Sequence, residues 1–208
     1  MTLGLTLQAR VVRNLRKRGV TVLTRRQWGS RYASVYRYRL AFKRVKAKKA
    51  DTLVQHITVT FDSGKLIGDF KEDMRTIERI GYERFKSGFS YNFGVDMANG
   101  TIGVGMPLLA KGTHTINDKG VPGYSYDQNL VARAVAVVGM PGTPLSDKAQ
   151  ESITQLIAAL MDEGAITLDP DYKPHSFFAY KDCPCEPTRR VMPQMLERAK
   201  KVRKKVGR

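Results

Sequence analysis

From His175 to Cys185 the chain reads His-Ser-Phe-Phe-Ala-Tyr-Lys-Asp-Cys-Pro-Cys, which puts an imidazole, an amine and two thiols within eleven residues. Neutral imidazole nitrogen and thiolate sulfur are the donors that a borderline-soft cation such as zinc prefers, and a loop of this length can fold two of them onto one ion. This is half of a metal site, so the rest of the chain must supply the other half. A single residue separates Cys183 from Cys185, a spacing that rarely allows the Cα separation and dihedral of a disulfide. Both are expected as thiols, used for ligation, reaction or burial. The other two histidines are His56, inside an apolar β-branched stretch, and His114, in a turn-rich one.

The elements that must hold these groups follow from periodicity and breakers. Residues 6–18 place Leu7, Val11 and Leu15 at four-residue spacing among arginines, with Gly19 where a left-handed cap would sit, and predict a short basic helix. Trp28, the only tryptophan, reads as a core anchor. Residues 36–43 alternate apolar and mostly basic side chains with period two, which predicts a half-buried strand whose interleaved Tyr and Arg would also suit a nucleic-acid or glycan surface. The lysine cluster at 46–49 closes it as a loop. Residues 52–60 predict a central strand with His56 at its middle. Asp69 or Asp73 can start a helix with Met74, Ile77, Ile80 and Phe85 on one face. Residues 90–97 and 101–106 predict a hairpin about Asn99-Gly100, and 107–129 a long loop of the kind that lines sites. Residues 131–139 predict another strand, Ser146 caps a helix that stops at Gly164, and 166–168 predict a short edge strand. From Thr188 to about Val206 a last helix carries Met192, Met195, Leu196, Ala199 and Val202 on its packing side. Strands and helices intermixed in this way imply an α/β (mixed α+β) fold with a central mixed β-sheet flanked by helices.

A chain of 208 residues is within the range of one domain and can bury a core without disulfide or metal support. The net charge of +17 gathers in three runs, 10–18, 37–49 and 198–208. Such runs either solubilise the surface or attract polyanions: nucleic acid, anionic lipid or wall polymer. No stretch reaches the roughly 20 apolar residues of a membrane span, and no basic-then-apolar secretory leader is recognisable at residue 1. Walker-type, nucleophile-elbow and H-E-x-x-H signatures are lacking, which removes several large enzyme classes.

Several stretches fall in a familiar order. They are Arg25-Arg-Gln-Trp28-Gly29, Val54-Gln-His56-Ile-Thr58, Ser90-Tyr91-Asn-Phe93 followed by Asn99-Gly100-Thr-Ile102, Gly112-Thr-His114-Thr-Ile-Asn117, and Ala134-Val-Ala-Val-Val-Gly139. Together with the His175-to-Cys183 spacing and Lys181 two positions before the cysteine, they resemble the zinc-dependent N-acetylmuramoyl-L-alanine amidases of the peptidoglycan recognition protein class, which include phage lysozymes that are amidases. The chain departs from that pattern at Ile57, Asn92 and Cys185, where the family usually has histidine, histidine and glycine.

The resemblance implies an amidase-like fold with Zn2+ in a surface cleft, held by His56, His175 and Cys183. It implies that Tyr91 and Lys181 assist catalysis, and it puts His114, Asn92 and Asn117 in contact with substrate. The implied activity is hydrolysis of the peptidoglycan amide between N-acetylmuramic acid and L-alanine, by a phage endolysin or virion-associated lysin. The chain would be made in the host cytoplasm and act at the bacterial cell wall after release or within a phage particle. The alternatives are a peptidoglycan-binding module without turnover and a basic nucleic-acid-binding or structural virion protein. Expected partners are bacterial peptidoglycan, an anionic wall polymer or nucleic acid at the basic termini, and phage virion components. The expected division is a basic N-terminal extension at 1–50, a catalytic core at 51–187 with the Trp28 region packed on it, and a basic C-terminal helix at 188–208.

Overall fold

The structure is a computed structural model that describes residues 3–46, 49–58, 61–62, 65–66 and 68–203. Parts of four expectations therefore lie outside the described residues: Ala47 and Lys48 within the second basic run, Val59 and Thr60 of the central strand, 204–208 of the basic tail, and the end of the last predicted helix beyond 203.

Helix α1 (Leu3–Lys17) buries Val11 and Leu15 completely and leads to strand β1 (Val22–Leu23). The one-turn helix α2 (Arg25–Trp28) is closed at its start by a reciprocal Thr24–Gln27 capping box and at its end by Gly29, whose φ of 83° is open to glycine at little cost. Residues 36–43, expected as a strand, lie mostly in helix α3 (Ala33–Phe42). The alternation misleads there, because the buried set is Tyr36, Arg39 and Leu40, spaced three and four apart, while Tyr38 and Phe42 face solvent.

Strand β2 (Ala50–Thr58) is followed by a small hairpin of β3 (Phe61–Asp62) and β4 (Lys65–Leu66). Asp69 then caps helix α4 (Phe70–Phe85) by accepting the Lys71 and Glu72 N–H groups at 2.8 and 3.0 Å. Met74 and Ile77 are buried as expected, but Phe85 is exposed. Strands β5 (Phe93–Asp96) and β6 (Ile102–Val104) form the expected hairpin with shorter arms, and β7 (Arg133–Val138) follows the long loop. Ser146 caps helix α5 (Asp147–Asp162) through the Ala149 N–H. Strand β8 (Ile166–Pro174) runs six residues past the expected end, helix α6 (His175–Phe178) follows at once, and helix α7 (Glu186–Val202) closes the described chain.

Six strands make one mixed sheet in the order β1-β6-β5-β7-β2-β8, parallel throughout except for the β5–β6 pair. The register puts His56, Ala136, Gly94 and Gly103 side by side, so their side-chain positions share one face. Helix α4 lies close on that face. A Cβ at Gly94 would meet the Met74 sulfur at 2.5 Å and one at Gly103 the Met74 methyl at 2.6 Å, so glycine there lets α4 pack beside His56. Val104, registered with Phe93 and Val135, belongs to the other face, where α1 packs on α5 and α5 on α7. The two terminal helices share a single core with the sheet, into which α1 sends Val11 and Leu15 and α7 sends Met192, Met195 and Ala199.

Candidate metal centre

His56 sits near the C-terminal end of β2, a strand apolar and β-branched enough to be buried on both faces, and is itself 1% exposed. His175 opens α6, where β8 delivers it alongside β2 through the Gln55–Pro174 pairing. Cys183 comes back over the end of β2. Its backbone carbonyl accepts the Ser176 N–H at 2.6 Å, and its sulfur accepts the Ile57 N–H at 3.4 Å. One ligand atom from each of His56, His175 and Cys183 lies within 4.8 Å of the others, and His56 Nδ1 stands 4.0 Å from Cys183 Sγ.

The loops that bring these groups together are pinned by aromatic packing. Tyr124, Phe177 and Phe178 meet edge to face at centroid distances of 5.0–5.4 Å over Val54. The Lys119 N–H also donates to the Phe178 carbonyl at 3.0 Å and its ammonium to the Ser176 carbonyl at 2.6 Å, tying the 107–129 loop to α6.

Burial sets the electrostatics. It holds His56 well below the ordinary histidine pKa, with further depression from His175, His114 and Lys181. Burial and the Lys181 charge bring His175 down to about 4. Burial brings His114 down to about 3, with help from His175 and Arg133 and opposition from Asp127. All three imidazoles are thus neutral near pH 7, the form that coordinates metal. Burial pushes the Cys183 thiol up to about 11, against the Ile57 N–H and Lys181, so a cation must displace its proton.

The residues fit a metal ion. His56 Nε2 is buried with no hydrogen-bond partner among the described residues, and its Nδ1 faces a thiol. Donors that share one zinc ion at about 2.0–2.3 Å stand roughly 3.3–3.7 Å apart, slightly closer than the 4.0 Å separation seen here. Two imidazoles and a thiolate suit zinc by softness.

Around this trio the expected residues divide. Tyr91 packs its ring 4.8 Å from that of His56, and burial, followed by the Cys183 charge, raises its phenol well above the ordinary value. Lys181 is exposed, and its charge reaches His56, His175 and Cys183. His114 is buried edge-on to His56, with ring centroids 5.4 Å apart. Asn92 and Asn117 are put to another use. Asn92 accepts the Ala134 N–H at 2.9 Å and donates to the Met106 carbonyl, bracing β5 against β7. Asn117 exchanges hydrogen bonds with Val121 across a turn of the long loop. Both are buried with their amides engaged in these bonds. Cys185 is placed as well. It is buried at the start of α7, and its sulfur accepts the Gly142 N–H at 3.1 Å.

Sequence reasoning missed Arg133, which is buried with its pKa depressed to about 10 by that burial and whose charge reaches His114. A single arginine opening an otherwise apolar strand was the available signal.

The N-acetylmuramoyl-L-alanine amidase family model matches residues 46–186. No curated protein sequence matches the chain significantly. Among solved structures, Drosophila peptidoglycan recognition protein SA superposes with a TM-score of 0.62 at 21% identity, covering 79% of this chain and 86% of that one. The N-acetylmuramoyl-L-alanine amidase LysC from Clostridium intestinale URNW gives a TM-score of 0.52 at 25% identity, covering 71% and 85%. A mutant of Drosophila PGRP-LB in complex with tracheal cytotoxin gives 0.59 at 19% identity, covering 78% and 87%. With more than half its length matched by the family model, this chain belongs to the N-acetylmuramoyl-L-alanine amidase family.

Proposed function

We propose that the protein is a zinc-dependent peptidoglycan amidase that hydrolyses the bond between the lactyl group of N-acetylmuramic acid and L-alanine of the stem peptide. The observation that carries this reading is the gathering of His56, His175 and Cys183 within 4.8 Å, with Tyr91 and Lys181 beside them. Family membership supports it.

His56, His175 and Cys183 would hold the ion, which when bound supplies a water of lowered pKa and a Lewis acid. Burial keeps the two imidazoles unprotonated and free to coordinate. Lys181 keeps its ammonium at the exposed side of the cluster, where it offsets negative charge developing on the scissile carbonyl oxygen. The Tyr91 phenol stays protonated because its ionised form is disfavoured by burial, so it serves as a hydrogen-bond donor that orients the attacking oxygen or the substrate amide. In this reading the enzyme is lytic and acts at the bacterial wall, after release from the producing cell or from a phage particle.

The test is release of free stem peptide from purified soluble muropeptide. Zinc-loaded wild type is expected to release it, whereas chelated wild type and Cys183→Ala, shown by circular dichroism to be folded, fall to background. Release that survives both treatments, or none from the loaded wild type, sinks the reading.

A further inference from the structure

The arginines of α1 have two different fates. Arg10 and Arg18 turn toward α5, where Glu163 and Asp162 hold them at 3.0 and 2.5 Å. Arg13 and Arg16 turn the other way and, with Arg25 and Arg26 of α2, line a cavity of about 460 Å3 whose floor includes Val12 and Val104.

Two of these four guanidiniums are fixed by neutral acceptors. Arg16 donates to the Val22 carbonyl at 3.0 Å and to Gln27 Oε1 at 3.3 Å. Arg25 donates to the Gly105 carbonyl and to Gln8 Oε1, and its guanidinium stands 5.0 Å over the Tyr36 ring. Glu78 acts on Arg25 through space, but its oxygens accept from Ser30, Arg31 and Tyr36. Arg13 and Arg26 make no side-chain hydrogen bond or ion pair among the described residues. Four like charges around one concavity repel each other, and no carboxylate among the described residues pairs with any of them.

We propose that this groove binds phosphoryl groups of a flexible anionic wall polymer, one built of phosphodiester-linked polyol units. Planar guanidinium forks match phosphate oxygens two at a time, and the pinned pair is pre-organised to do so. Among the described residues no aromatic side chain lines the cavity to stack a base, which favours a polymer without bases over nucleic acid. Val104 lies on the sheet face opposite His56, so the groove can hold the wall while the metal face stays open to peptidoglycan. The choice of a wall polymer rests on the amidase reading; the phosphoryl site does not.

Full-length, zinc-loaded protein is titrated calorimetrically with inorganic phosphate and with a soluble glycerol-phosphate oligomer, and compared with an Arg13→Gln/Arg26→Gln double variant. Both replaced side chains are exposed, and a thermal melt confirms the fold. Saturable oligomer binding is expected, weakened about tenfold or more in the variant and by added salt, with stem-peptide release from soluble muropeptide unchanged. Absence of saturable binding of either probe, or equal affinity in the variant, overturns the site. Single-stranded DNA that displaces the oligomer and binds more tightly through the same arginines overturns the polymer assignment. If wild type releases no stem peptide, the amidase reading fails, while the phosphate titration still decides this site.

Discussion

His114 shows how one side chain can tie stability to acidity. Its ring is buried edge-on to His56, its Nδ1 has no partner among the described residues, and Asn129 Oδ1 fixes its backbone N–H. Gly112 lies close against the ring: a Cβ there would meet the Ser90 carbonyl at 2.8 Å and His114 Cδ2 at 2.9 Å. With its pKa held at about 3, the folded imidazole stays neutral over a range in which the unfolded chain, at an ordinary 6.5, takes up a proton. Folding stability contributed by this residue is therefore fully present above pH 6.5, declines as pH falls through that value, and is lost by about pH 3. Between pH 7 and 4 the cost is roughly 3 kcal/mol. His56 and His175 add to it with the same sign. Urea unfolding of the metal-free protein at pH 7, 5.5 and 4 should show the wild-type midpoint falling more steeply than that of His114→Gln. Parallel declines would mean that His114 is not protonation-sensitive in this way.

The elements are held by a few long-range clamps, of which Arg18 is the most connected. From the end of α1 its guanidinium reaches Asp162 at 2.5 Å and Gln155 at 2.8 Å on α5, and the Val202 carbonyl at the end of α7. Both charged side chains are less than a tenth exposed. Removing one member of a buried ion pair typically costs about 3–5 kcal/mol, whereas replacing both with apolar groups costs much less. Arg18→Met is expected to lower stability to urea by that amount, and Arg18→Met/Asp162→Leu to recover most of it; a double variant as weak as the single one would show that the packing of α1, not the pair, is what matters. Periodicity found most of these elements but not their lengths. Residues 36–43 read as a strand because Tyr38 and Phe42, which face solvent, happen to fall in a two-residue alternation with Arg37, Arg39 and Lys43. Strand β8 was legible only as far as Leu168, because Asp169-Pro170-Asp171 resembles a turn until an edge position, which tolerates proline, accounts for it.

For the molecule as a whole, the chemistry of the metal trio was legible from residue types, and its assembly only through the family resemblance. Imidazole and thiol at 175–185 announce a ligand pair by type alone. That His56, 127 positions before Cys183, completes the set depends on β2 and β8 lying side by side, which a single sequence does not display. Tertiary packing likewise hid the buried use of Asn92 between Ala134 and Met106 and the meeting of four arginines between α1 and α2. It also makes the ligand set a property of the folded state alone, since unfolding carries Cys183 far from His56. An ion that binds only the folded chain stabilises it by mass action, about 4 kcal/mol when free zinc is a thousandfold above its dissociation constant. At roughly 2–4 °C per kcal/mol for a chain of this size, the thermal midpoint should rise by about 8–16 °C on zinc addition and return with chelator. Cys183→Ala should show little of that rise. That loss is expected because no other described group of three His, Cys, Asp or Glu side chains comes close enough to hold an ion, and a variant that gained as much as wild type would overturn the trio as its site.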